Sequence, residues 1–321
     1  MPSNYTKKRS TKYTYGPVPS RRLGFSLGID IIPHKNCSFD CIYCQLGRTI
    51  NKTLLRKEYM PVEPILDELE YVLSNTEHID YLTFSGSGEP TLHIRIGFLI
   101  NELKKMTEIP VAVLTNGSLL YMPDVQNDLM NADLVIPTLC TADHDIFRKI
   151  HRSHSNLDIK TIIEGYVKFR KIYNGKIWLE LMLVRGINDK AEQIKDLKKV
   201  IARVNPDKIH LNTVVRPPSE EYAHPVSLET MQHIKGILGE KCEIIADFKS
   251  KTISRQHENQ LKRIAATIAR RPVTIDDLMR TTGLHRNQIL KYVQMLLKQR
   301  KIEISKHDQK EYYRTHRGSN D

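Results

Sequence analysis

The chain has 321 residues, with 49 lysines and arginines against 37 aspartates and glutamates, a net charge of +12. That length allows about two domains, and no apolar run approaches the roughly 20 residues that a membrane helix needs. The start, MPSNYTKKRSTKYTY, has charge without an apolar stretch behind it, which argues against a signal peptide. Five cysteines, three of them clustered, fit a reducing compartment better than a disulfide framework, so a cytoplasmic location is expected.

Taken in chain order, the sequence reads as strand and helix units. PVPSRRLG places Arg21 and Arg22 ahead of the first apolar run, where they suit an acidic group of a cofactor or substrate, although solvated arginines are the commoner outcome. Strand-like runs follow at LGIDII, YLTFSG, VAVLTN, LVIPTL, WLELMLV and IHLNTVV, most of them separated by amphipathic stretches of helical length. VEPILDELEYVL, for example, sets Ile65, Leu69 and Leu73 at intervals of four on one helical face. Alternation of this kind predicts an α/β fold with a mainly parallel sheet. Six units give a partial (β/α)6 barrel rather than a complete eight-unit one. This body is expected to span residues 1–250, including a basic N-terminal tail with Lys7, Lys8, Arg9 and Lys12.

In such a body chemistry belongs on the loops at the carboxyl ends of the strands. After the first strand come Cys37, Cys41 and Cys44 in the order CxxxCxxC. Three thiolates can hold three irons of a 4Fe-4S cluster and leave the fourth without a protein ligand. A structural zinc site closes with four ligands, often as two pairs, and this chain has no second pair. His34 is the one nearby residue that would complete a Cys3His set. Cys140 and Cys242 stand alone in apolar segments, as buried thiols commonly do.

Gly86, Ser87, Gly88, Glu89 and Pro90 follow the second strand, where glycines let backbone groups approach a ligand. A tight turn with a solvated glutamate is the plainer reading. Thr115, Asn116 and Gly117 close the third strand, and Asn-Gly is also a favoured turn pair. In the fifth strand Glu180 and Met182 alternate with apolar neighbours, which turns Glu180 toward the barrel interior. A buried carboxylate there needs a ligand, an arginine or a solvent path, and Arg185 or Arg216 is the candidate for an ion pair. His210, Asn212 and Val214 share one face of the sixth strand, and the stiff polar segment RPPSEEYAHP after it suits a loop over the barrel mouth.

The stretch CSFDCIYCQLG, with Tyr43 just before the last cysteine, resembles the signature of the radical S-adenosylmethionine (SAM) superfamily. That resemblance implies a partial barrel, a 4Fe-4S cluster held by the three cysteines, and SAM chelated at the open iron and cleaved reductively to a 5′-deoxyadenosyl radical. It implies that Tyr43 and the loop Gly86, Ser87, Gly88 and Glu89 contact SAM, with Glu89 orienting the SAM amino group. It extends less closely to Asn116, Thr138, Glu180 and Asn188 as further SAM contacts. In PTLCTAD, where relatives carry a pattern resembling SLDA, Cys140 takes the aspartate-like place and Asp143 follows it. The wider context YGPVPSRRLGFSLGIDIIPHKNC resembles a subgroup grouped with wyosine tRNA synthases.

From Lys251 onward there are 16 lysines and arginines against 7 aspartates and glutamates, nine of the twelve net charges. NQLKRIAATIARR, TIDDLMRTTG and HRNQILKYVQMLLKQR read as three helices, and KIEISKHDQKEYYR as two strands around a turn. The order resembles a winged helix-turn-helix domain over residues 256–321. His285, Arg286, Asn287 and Lys291 would then open a recognition helix, and Tyr312 and Tyr313 would stack on an unpaired base. Such domains also dock proteins, and a solvated basic face explains positive charge most simply.

Three functions follow. The first is a radical SAM enzyme that abstracts hydrogen from a substrate, with tRNA or another nucleic acid as the candidate class, served by a low-potential electron donor. The second is an iron-sulfur redox-sensing regulator that binds DNA. The third is an adaptor with an inert barrel. The first explains an open iron, the GSGEP loop and a barrel that brings them to one mouth; neither alternative does.

Overall fold

The computed structural model describes residues 11–76, 78–246, 255–307 and 310–315. These residues fall into two compact units, one within Gly16–Ser250 and one built from the described parts of Met1–Tyr15 and Lys251–Asp321. The basic-tail residues Lys7, Lys8 and Arg9 lie outside the described residues.

β1 (Thr14–Ser20), whose first two residues belong to the smaller unit, is followed in the larger unit by β2 (Gly24–Ile29) and two short strands, β3 (Asn36–Cys37) and β4 (Asn51–Lys52). Then come α1 (Val62–Ser74), β5 (Tyr81–Phe84), α2 (Ile96–Met106), β6 (Val111–Thr115), α3 (Pro123–Leu129), β7 (Leu134–Pro137), α4 (His144–His151) and α5 (Ile159–Ile172). The series closes with β8 (Lys176–Leu183), α6 (Ala191–Val204), β9 (Lys208–Thr213), α7 (Leu228–Leu238) and β10 (Cys242–Ile244).

The main sheet has eight strands in the order β1-β2-β5-β6-β7-β8-β9-β10. Every pairing from β2 to β10 is parallel, which requires the intervening crossovers. The six strands read from the sequence are present, and β1 and β10 are added at the two edges. Gly16, Pro17 and Pro19 give β1 the composition of a turn, and β10 is only three residues long. The first strand also lies earlier than LGIDII suggests. It ends at Ile29, because Asp30 leaves the ladder to bind the loop after β5.

Packing separates the two faces of the sheet. Along β8 the residues Ile177, Leu179, Leu181 and Leu183 are fully buried, whereas Trp178, Glu180 and Met182 on the other face keep partial access. Trp178 joins an inner cluster with Leu23, Ala112, Leu134 and Ile136. In α1 the apolar stripe runs through Val62, Ile65, Leu69 and Val72, and Leu73 falls outside it, because a helix advances 3.6 residues per turn. Ile65 and Leu69 are fully buried, each contributing about 1.5–3 kcal/mol.

The smaller unit contains α8 (Arg255–Arg270), α9 (Ile275–Thr282), α10 (Arg286–Lys298) and an antiparallel hairpin of β11 (Ile302–His307) and β12 (Lys310–Thr315). Thr274 and Asp277 form a capping box at the start of α9, and Gly283 ends it in the left-handed conformation. Ile264, Ile268, Leu278, Ile289, Val293 and Tyr313 belong to the core of this unit. Among the described residues no helix is long and apolar enough to cross a membrane.

Candidate active site

The cysteine loop follows β2 and is sewn to the end of α4. Asp40 N–H donates to the His151 carbonyl (2.8 Å), Ile42 N–H to that of Ile150 (2.9 Å), and His154 N–H to that of Ser38 (2.9 Å). Phe39 stacks on the His151 ring at 4.5 Å and meets Phe147 edge-on. The segment after β9 lies against the same loop. Glu220 N–H donates to the Ile42 carbonyl (2.9 Å), and its carboxylate takes Arg48 (2.9 Å) and Arg152 (2.6 Å). Arg152 also pairs with Asp40 (3.0 Å), and Arg216 donates to Gln45 (2.9 Å).

Each of the three cysteine sulfurs meets a nitrogen from a different segment. Lys35 Nζ donates to Cys44 Sγ (3.2 Å), Asn116 Nδ2 to Cys37 Sγ (3.4 Å), and His151 Nδ1 lies 3.1 Å from Cys41 Sγ. Burial, joined by Glu89, pushes the Cys37 thiol up to about 12; burial and the neighbouring Cys37 and Cys44 push Cys41 well above its ordinary value. Metal ligation demands the opposite state, a thiolate, and N–H groups aimed at the sulfurs are the contacts that support and tune it. Three half-buried thiols, each with its own nitrogen contact, therefore suit one iron apiece of a 4Fe-4S cluster. Cys140 and Cys242 are buried, as expected.

The GSGE loop is shaped by contacts within the chain. Ser87 N–H and Oγ donate to Asp30 at 3.0 and 2.6 Å. A Cβ on Gly86 would strike the Asp30 carboxylate at 2.4 Å, and one on Gly88 the Asn36 carbonyl at 2.1 Å. Glu89 is buried, and four donors meet its carboxylate: Thr91 N–H (3.1 Å), Thr91 Oγ1 (2.6 Å), Thr115 Oγ1 (2.5 Å) and Asn116 N–H (2.7 Å). Burial raises its pKa, and the hydrogen bonds of Thr115 and Thr91 work against that rise. The carboxylate thus ties the loop after β5 to the loop after β6, and the solvated glutamate of the plainer reading is not found.

Asn116 carries that tie to the cysteines, because its side chain also donates to Ser38 Oγ (2.8 Å). Tyr166 of α5 donates to the carbonyls of Asn116 (3.2 Å) and Thr138 (2.9 Å), joining the ends of β6 and β7. Its hydroxyl fills the space beside Gly117. Tyr43 OH lies 3.6 Å from Cys140 Sγ. Asp143 caps α4 by accepting from Ile146 N–H (2.8 Å). Asn188 spends its amide on the chain: Oδ1 accepts from Val184 N–H (2.7 Å), and Nδ2 donates to the carbonyls of Cys140 (2.8 Å) and Met182 (2.9 Å).

Glu180 pairs with neither Arg185 nor Arg216. Its partner is Arg22, 3.2 Å away, and Asn212 donates to the same carboxylate at 2.8 Å. The turn between β1 and β2 delivers Arg22 to the inner face, while Arg216 is occupied with Gln45. Burial acts to raise the Glu180 pKa, but Arg22 and Asn212 hold it below the usual carboxylate value. His210 is buried edge-on against Trp178 (5.1 Å), and burial, with Arg22, lowers it to about 4.

In the smaller unit Tyr313 is 6% exposed and sits in the core, so it does not offer a ring for stacking. Tyr312, its neighbour on the strand, points to the opposite, more open face. His285 is buried beside Tyr15, with ring centroids 4.9 Å apart, and Arg286 pairs with Asp276 at 3.1 Å. The side chains of Asn287 and Lys291 lie outside the described residues.

Lys35, His151 and Tyr166 escaped the sequence reading. Lys35 carries a faint signal in standing two positions before Cys37, whereas His151 and Tyr166 reach the site only through the packing of α4 and α5.

Residues 31–198 match the family model of the radical SAM superfamily. The chain is 43% identical over 248 residues to the UPF0026 protein MJ1312 of Methanocaldococcus jannaschii, covering 77% of this chain and 76% of that protein. It is 42% identical over 262 residues to a protein of Brachyspira hyodysenteriae named GTPase Obg, covering 81% of this chain but 38% of that one. The structure of Streptococcus suis SuiB bound to S-adenosylmethionine aligns with a TM-score of 0.53 at 13% identity, over 73% of this chain and 55% of the SuiB chain, which is a likeness of fold.

Proposed function

This chain belongs to the radical SAM superfamily, and from that premise we propose that it is a hydrogen-abstracting enzyme whose substrate is carried on tRNA or another nucleic acid. Enzymes of this class use a 4Fe-4S cluster and SAM, which together supply a 5′-deoxyadenosyl radical. Cys37, Cys41 and Cys44 would hold the cluster, and the observation that carries this reading is the separate nitrogen contact on each of their sulfurs. Tyr43, the loop Gly86–Glu89, Asn116 and Thr138 line the place for SAM beside it. Glu89 and Asn116 keep the loops after β5 and β6 in fixed relation to Cys37. Glu180, neutralised by Arg22, forms a polar inner wall that suits an uncharged polar part of a substrate.

The smaller unit serves as a winged helix that gathers nucleic acid. Its support is the concentration of nine of the twelve net charges after Lys251 and the order of three helices and a hairpin. Tyr312 remains as the stacking residue, and the subgroup likeness to wyosine tRNA synthases agrees with an RNA substrate. A low-potential electron donor completes the system, and the cytoplasm, which keeps thiols reduced, is its place.

The experiment is anaerobic reconstitution followed by iron and sulfide counts and a dithionite assay for 5′-deoxyadenosine from SAM. About four irons per chain and cleavage that disappears in Cys41→Ala are expected. A full cluster without cleavage would leave a substrate-gated enzyme or the DNA-binding regulator, and bound zinc without a cluster would overturn the reading.

A further inference from the structure

Lys35 is built into the site in an unusual way. It adopts a left-handed backbone conformation (φ 60°) that residues other than glycine seldom take, and it is 4% exposed. Its N–H donates to the Ser87 carbonyl (2.8 Å), and its own carbonyl accepts from both Ile50 N–H and Asn51 N–H (3.1 Å each). These bonds fix the residue between the GSGE loop and the segment leading into β4, and the side chain then runs inward to Cys44 Sγ. Among the described residues no aspartate or glutamate forms an ion pair with it.

Burying an ammonium without an opposing charge is costly, so a site keeps one where an anion is to come. The sulfurs of Cys37 and Cys41 meet an amide and an imidazole, and Cys44 is the one that takes the ammonium as its hydrogen-bond partner. A cluster held by three thiolates gains one more negative charge on reduction. A cation held 3.2 Å from one of those sulfurs, shielded from water, favours the reduced state over the oxidised one.

We propose that Lys35 is the fixed counter-charge of the cluster, a positioning residue that acts through Cys44 to raise the cluster's reduction potential. The proposal rests on the reading that this chain holds a 4Fe-4S cluster, and its test separates the two.

Full-length wild type, Lys35→Arg and Lys35→Gln are reconstituted anaerobically, their iron is counted, and each is titrated potentiometrically without SAM by the electron paramagnetic resonance signal of the reduced cluster. Both variants keep a polar side chain, and arginine alone keeps the charge. At the wild-type midpoint potential Lys35→Gln is expected to show a tenfold lower ratio of reduced to oxidised cluster, a shift of about 59 mV for one electron, while Lys35→Arg stays near wild type. A purely structural role would lower the iron content of both variants and leave the remaining clusters at the wild-type midpoint, which would overturn the proposal. Equal midpoints in Lys35→Arg and Lys35→Gln would also overturn it, even if wild type cleaves SAM. If wild type holds no cluster, the functional reading fails together with the proposal.

Discussion

The guanidinium of Arg22 lies 3.2 Å from the carboxylate of Glu180, across 158 positions of sequence. Both side chains are nearly enclosed, at 12% and 14% exposure. A carboxylate on the inner wall of the sheet is thus satisfied by the chain itself, through one arginine from an edge turn and one asparagine from the adjacent strand.

Removing one member of that pair strands the other. Arg22→Met should lower stability by about 3 kcal/mol, the low end for breaking a buried pair, because both groups keep slight solvent contact. The double variant Arg22→Met with Glu180→Met should recover most of the loss, and a denaturant-melting cycle of the four proteins measures the coupling. Strict additivity of the two single effects would show that the pair does not interact.

His210 gives stability a pH dependence whose sign is set by its lowered pKa of about 4 against the ordinary 6.5. Below pH 6.5 the unfolded chain takes up a proton that the folded chain refuses until about pH 4, so stability is lost on acidification through this window. The slope attributable to this one group is about 1.4 kcal/mol per pH unit. Comparing unfolding free energies of wild type and His210→Gln between pH 7 and 5 isolates it, and identical slopes would refute the assignment.

Glu89→Gln replaces a carboxylate that meets four donors by an amide with a single acceptor oxygen. The expected cost is about 2 kcal/mol, typical of hydrogen bonds to a charged group. It should appear in the melting temperature of the protein before any SAM is added. A variant that melts like wild type and yet binds SAM weakly would assign Glu89 to the ligand alone.

Tyr312 and Tyr313 should separate cleanly. Tyr313→Ala opens the core of the smaller unit and should cost about 3–5 kcal/mol there, by analogy with other large-to-small aromatic losses. Tyr312→Ala should leave that stability nearly unchanged and weaken binding to single-stranded RNA at low salt. Equal effects of both variants on stability and RNA binding would reject the division.

The parallel sheet and the cysteine triad were legible in the sequence because each rests on local signals, apolar runs of strand length and fixed cysteine spacing. The partner of Glu180 was not, since nothing near residue 180 indicates that a turn at residue 22 reaches it. His151 is illegible for the same reason: its role depends on how the end of α4 meets the loop at Asp40 and Ile42. Tyr313 misled because two adjacent tyrosines look alike in sequence, whereas strand alternation sends one inward and one outward.

The missing side chain at Gly88 makes the cysteine loop and the loop after β5 a single exchangeable part. Since the Asn36 carbonyl occupies the space a Cβ would need, neither loop can be transplanted into another barrel without the other. Asp30 must travel with them, because it holds Ser87 and closes the space over Gly86. A functional graft therefore begins at Asp30 and carries both loops as a matched pair.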